Sequence, residues 1–68
     1  MTFKQMQIDY IVSVFWKYPD IVKKVVNTKK ATSTELRKRL NQFNKGDLFN
    51  FRIAIQAELH KRFDNKQD

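Results

Sequence analysis

From Asp47 to Phe63, apolar side chains recur at three- and four-residue steps: Leu48, Phe51, Ile55, Leu59 and Phe63. That is the period of an α-helix, and it gathers the five on one face. A second strip, Phe49, Ile53 and Ala57, runs about a third of a turn away. A surface helix carries one apolar stripe. A helix with two is central to its domain or shared with a partner. The segment is therefore expected to be the piece the rest of the chain packs around. Its surplus side is expected to form a protein interface made of Phe49, Ile53 and the polar row Arg52, Gln56 and His60 between the two strips.

The start of the chain has helical punctuation too. Thr2-x-x-Gln5 has the form of a capping box, in which a hydroxyl and an amide each satisfy a backbone N–H. The helix it opens reaches about Lys17, with Phe3, Met6, Tyr10 and Val14 on one face and Ile8, Val12 and Phe15 on another. The same stretch also alternates as a strand would, through Ile8, Tyr10, Val12, Val14 and Trp16. Pro19 ends this element by pushing Tyr18 out of the α region, and it suits the first turn of a second helix with Asp20 beside it. Ile21, Val22, Val25 and Val26 make one side of that helix, opposite Lys23 and Lys24. The competing arrangement pairs residues 8–17 with 21–26 as a hairpin across Tyr18-Pro19-Asp20.

Asn27 to Ala31 reads as a basic loop with Lys29 and Lys30. Thr32-x-x-Glu35 is a second capping box. The third helix, read as Thr34–Phe43, has a narrow apolar stripe of Leu36, Leu40 and Phe43, as a peripheral helix would. In Asn44-Lys45-Gly46-Asp47, Gly46 suits the left-handed residue after a helix end and Asp47 suits the cap of the next. So short a turn makes the last two helices an antiparallel or steeply crossed pair. The expected fold is all-α, a small bundle of three to four short helices ending in an αα-hairpin, with ββαα as the alternative. Residues 1–63 form one domain and 64–68 a disordered polar tail. The presence of one Gly and one Pro in 68 residues also disfavours a fold built on tight turns.

The chemistry the sequence offers is narrow. There is no Cys and one His, so no thiol dyad and no metal set is expected. With one Gly there is no phosphate loop of the glycine-rich kind. Ser13 and Ser33 have no spacing that suggests a triad. The chain is read as non-catalytic, with no cofactor and no small-molecule substrate. No leader follows from Met1–Gln7, and the apolar run Tyr10–Trp16, broken by Ser13, falls far short of the roughly 20 residues a membrane span needs. A cytoplasmic protein without a membrane partner is expected. So small a domain without disulfides is marginal, and a homodimer is expected.

Charge is the sharper clue. Against 7 Asp+Glu stand 14 Lys+Arg, a net charge of +7. That surplus points to DNA or to an acidic partner protein. Arg37, Lys38, Asn41, Gln42 and Lys45 are read as the outward side of the third helix and its end, with Lys29 and Lys30, together with Lys23 and Lys24, extending the patch. Cations neutralise phosphates, and Asn and Gln bond base edges. Phe15-Trp16-Lys17-Tyr18 interleaves aromatic and basic residues, as single-strand stacking surfaces do, although packing ahead of a proline explains it as well. Glu58 and Arg62 are spaced for an ion pair along the last helix. In size and in its Lys and Asn content, the chain resembles short accessory proteins of phages and mobile elements, a likeness of composition that carries no residue. The leading expectation is a small DNA-binding regulator working through its third helix. The alternative is an adaptor or inhibitor that docks an apolar helix face on a larger protein.

Overall fold

The computed structural model describes residues 2–29 and 32–64. Four helices follow one another: α1 (Phe3–Lys17), α2 (Pro19–Val26), α3 (Ser33–Leu40) and α4 (Lys45–Asp64). No strand occurs among the described residues, so the chain is all-α and not ββαα. Lys30 and residues 65–68 lie outside the described part. Asp64, expected in the tail, is the last residue of α4.

Local chemistry explains most of the boundaries. The Thr2 hydroxyl accepts from the Gln5 amide N–H at 3.1 Å, and the Thr32 hydroxyl accepts from that of Glu35 at 3.2 Å. Each satisfies one of the donors a helix start leaves open. Pro19 opens α2 with Asp20 in its first turn. α2 ends at Asn27, whose φ of 58° makes it the left-handed residue; Gly46, expected in that role after α3, has no positive φ. Gly46 instead lies inside the first turn of α4, because α4 starts earlier than its hydrophobic pattern suggests. Its cap is Asn44, whose Oδ1 accepts from the Asp47 amide at 2.8 Å, so Asp47 is not the cap. α3 is also shorter than expected. It closes at Leu40 in tightened turns, with Gln42 N–H donating to Arg39 and Phe43 N–H to Leu40. Asn44→Ala is expected to remove about 1 kcal/mol. In a domain of this size that lowers the melting temperature by about 4–8 °C, readable in a circular-dichroism melt.

The centre of the molecule is α1. It packs on α4, α2 and α3, and α2 also packs on α4. Its inward residues come in neighbouring pairs, Gln7 and Ile8, Ile11 and Val12, Val14 and Phe15, all buried. This three-to-four-residue recurrence is helical, and it wins over the alternating pattern that suggested a strand. α4 was expected to hold the centre, yet among its residues only Leu48 and Ile55 are fully buried. Its Phe51 and Leu59 are half-buried on the edge of the core. The remaining core comes from Ile21, Val22 and Val26 of α2 and from Leu36 and Leu40 of α3.

Side-chain pairs fix the helix directions. Phe3 meets Phe49, Gln7 meets Arg52 and Tyr18 meets Phe63, so α1 and α4 run parallel. Asp20 with Arg62 and Lys24 with Glu58 make α2 antiparallel to α4. Arg37 with Asp9 and Lys4 with Asn41 make α3 antiparallel to α1. α3 and α4 are thus antiparallel, as their short connection requires. Phe43 just past the end of α3 stands edge-on to Phe51, with ring centres 5.0 Å apart. Glu58 and Arg62 were expected to pair with each other; each instead reaches across to α2. The Asp20 carboxyl is held below its ordinary value, chiefly by the hydrogen bond from Arg62. A depressed carboxyl supports the fold above its ordinary pKa and loses that support as pH falls through the lowered value. Arg62→Ala is therefore expected to weaken the parent more at neutral pH than at pH 2, with the two denaturation curves converging in acid.

Candidate functional site

Two surfaces stand out, and both lie where α1 begins, α3 ends and α4 begins. The first is basic. The α3 sequence puts three cations in a row, Arg37, Lys38 and Arg39, so they radiate in different directions around a short helix. Arg37 turns to α1 and donates to Asp9 at 2.8 Å, so its charge is matched within the fold. Arg39 is half-buried, its guanidinium 5.7 Å from the Phe43 ring centre and its Nε enclosed without a hydrogen-bond partner. Lys38 is exposed and has no carboxylate partner among the described residues. Lys38, Arg39, Gln42 and Glu35 line an open concavity of about 440 Å³.

Asn41 and Gln42 are exposed beside it, in the turn that closes α3. The Asn41 carbonyl accepts from Lys4 Nζ at 2.9 Å, a cation at a helix C-terminus where the dipole favours one. Lys45 is exposed in the first turn of α4, likewise without a carboxylate partner among the described residues. Lys29 is exposed after α2, and Lys30 is outside the described residues. The basic residues expected to act together thus divide. Lys38, Asn41, Gln42 and Lys45 share one end of the molecule, Arg37 is engaged by Asp9, and Lys29 belongs to a different loop. Arg39, which the sequence reading passed over, joins the concavity. Its place in the last turn of α3, next to Lys38, was the available signal.

The second surface is apolar. Phe3, Met6, Phe49 and Ile53 are between 41% and 50% exposed, although each is a large hydrophobe. Because α1 and α4 run parallel, Phe3 stands beside Phe49, with ring centres 6.0 Å apart. Met6 and Ile53 follow one turn further along their own helices. Phe49 and Ile53 were expected on the surplus face of α4; Phe3 and Met6 come from α1, from one of its two expected apolar faces.

Arg52 sits between the helices. Its Nη1 donates to Gln7 Oε1 at 3.0 Å, and its guanidinium lies 4.9 Å from the Tyr10 ring centre. Gln7 is itself buried and donates to the Phe3 carbonyl. Gln56 and His60 are exposed further along, and His60 Nδ1 lies 2.7 Å from an Asp64 carboxylate oxygen. Of the Phe15–Tyr18 run, Phe15 is buried, Tyr18 packs against Phe63 and Arg62, and Trp16 is 74% exposed, so neither reading fits all three aromatics.

Among the described residues no group of three His, Cys, Asp or Glu could hold a metal ion. No described helix is long and apolar enough to cross a membrane. No protein-family model matches the chain, and no curated protein or solved structure is significantly similar to it.

Proposed function

We propose that this protein is a small non-catalytic regulator that binds duplex DNA through the end of the molecule where α3 stops and α4 starts. One observation supports this reading above the others. Arg37, Lys24 and Arg62 are matched by Asp9, Glu58 and Asp20, whereas Lys38 and Arg39 in the last turn of α3 and Lys45 in the first turn of α4 have no carboxylate partner among the described residues. Other cations, Lys17, Lys23 and Lys61 among them, also lack a carboxylate partner among the described residues; what sets this end apart is that three such cations fall within residues 38–45. Exposed Asn41 and Gln42 beside that cluster supply the amides that bond base edges, while the cations would hold the phosphates.

The test is a salt titration of binding to duplex DNA. Three phosphates neutralised by Lys38, Arg39 and Lys45 give a slope of log affinity against log salt of about −2.7, at 0.9 per phosphate. A protein that shows no duplex affinity at low salt does not have this function.

A further inference from the structure

We propose that Phe3, Met6, Phe49 and Ile53, with Arg52 from the same stretch of α4, form a docking site for an acidic amphipathic helix of another protein. This surface goes beyond the DNA reading, with which it shares Lys45, since phosphates have no use for four exposed hydrophobes. Scattered exposed apolar residues are ordinary on a protein surface. These four are not scattered: they stand two by two along adjacent parallel helices. Between the first turns of the two helices the rings of Phe3 and Phe49, with Lys45 and Gly46, line a shallow, open concavity of about 430 Å³. A side chain at Gly46 would press on Asn44 Oδ1, 3.3 Å from where its Cβ would stand and already the cap of α4. A row of paired hydrophobes along two helices suits a third helix that lays down anchors at three- and four-residue steps.

Arg52 and the surrounding charge identify the occupant. The side chain is fixed in place by the Gln7 amide on one nitrogen and by the Tyr10 ring beneath it, so little freedom remains to be lost on binding. No carboxylate among the described residues meets it. A planar fork held rigid beside apolar groups is suited to a carboxylate gripped through two nitrogens. Lys45 on the rim adds a second cation. A second copy fits poorly. Each chain carries +7, and a two-fold arrangement would bring the same cationic patch of both molecules together. A foreign helix with apolar anchors and a carboxylate one turn away satisfies the aromatics, Arg52 and Lys45 at once.

The experiment selects a displayed library of random helical peptides against the full chain, then titrates the recovered peptides in solution. The expected peptides pair large apolar residues at helical spacing with Asp or Glu within one turn. Arg52→Gln is expected to weaken them by about 30-fold or more, as loss of one partner of a desolvated charge pair does. Phe49→Ala is expected to weaken them too, while Lys38→Ala leaves them unchanged. Far-ultraviolet circular dichroism of each variant separates loss of the site from loss of the fold, and Phe49→Ala keeps the test open should Arg52→Gln unfold. The proposal is overturned if no peptide is recovered, if the recovered peptides carry no acid, or if they bind a folded Arg52→Gln variant equally well. It is also overturned if self-association masks the face, which would make a second copy the occupant, or if duplex DNA protects Phe49 and Arg52.

Discussion

Ile55→Ala is expected to leave the chain largely unfolded, whereas Ile53→Ala, two residues away in the same helix, leaves its melting curve almost unchanged. The two side chains are chemically identical and differ only in place. Ile55 is 0% exposed and belongs to the core beneath α1, while Ile53 is 49% exposed. Removing a buried Ile side chain costs about 2–5 kcal/mol, through lost transfer energy and the cavity left behind. A single core in a chain of this length supplies about 3–5 kcal/mol in total. Ile55→Ala therefore removes most of the margin. At Ile53 the side chain is half in water already, and the change stays within about 0.5 kcal/mol. Urea denaturation followed by circular dichroism checks both. Equal losses at the two positions would mean that the Phe49–Ile53 face is covered in the free protein. If that loss shrank on dilution, the cover would be a second copy.

That contrast also marks how far the sequence could be read. Helix starts were legible where one residue type carries a local mechanism: Thr2 and Thr32 as caps, and Pro19 in a first turn. The apolar stripe of α4 was legible as a face, because a helical period survives without knowledge of neighbours. Its rank in the fold was not legible. Burial depends on what lies opposite, and α4 packs mainly on α1 and α2, with Phe43 from the α3–α4 turn against its Phe51. α1 has neighbours on three sides, so it holds the centre although its sequence has a mixed period. Between Phe43 and Leu48, Asn44, Gly46 and Asp47 all carry signals for helix ends, and the order of cap and turn was misassigned there. The left-handed residue is Asn27, after α2, and α3 ends at Asn41 without one. The candidate basic site was legible as a cluster in the sequence but not as a surface. Arg37 and Lys38 were both read as outward, yet Asp9, 28 residues earlier in the chain, removes Arg37 from the set. Pairing across that separation has no local signature.

The same division decides what the basic residues do to DNA. Lys38 and Lys45 are exposed and lack carboxylate partners among the described residues, so each can displace a condensed counterion from a phosphate. Replacing both by Ala is expected to flatten the salt dependence of duplex binding by about 1.8 units, at 0.9 per phosphate, and to weaken binding across sequences alike. Neither side chain supports the core, and Ala is the better helix former, so helicity should hold. Arg37→Ala is expected to behave otherwise. Its guanidinium already answers Asp9, so the slope should stay near that of the parent. The loss should appear as up to about 1 kcal/mol of stability, the scale of a partly exposed pair. Asn41→Ala or Gln42→Ala should change which sequence is preferred and leave the slope alone, because amides carry no charge to exchange for counterions. Fluorescence anisotropy at several salt concentrations, with circular dichroism alongside, separates these outcomes. If the Lys38 and Lys45 double variant keeps the parent slope while Arg37→Ala flattens it, the Asp9 pair opens on binding and the outward face of α3, not the α3–α4 end, is what meets DNA.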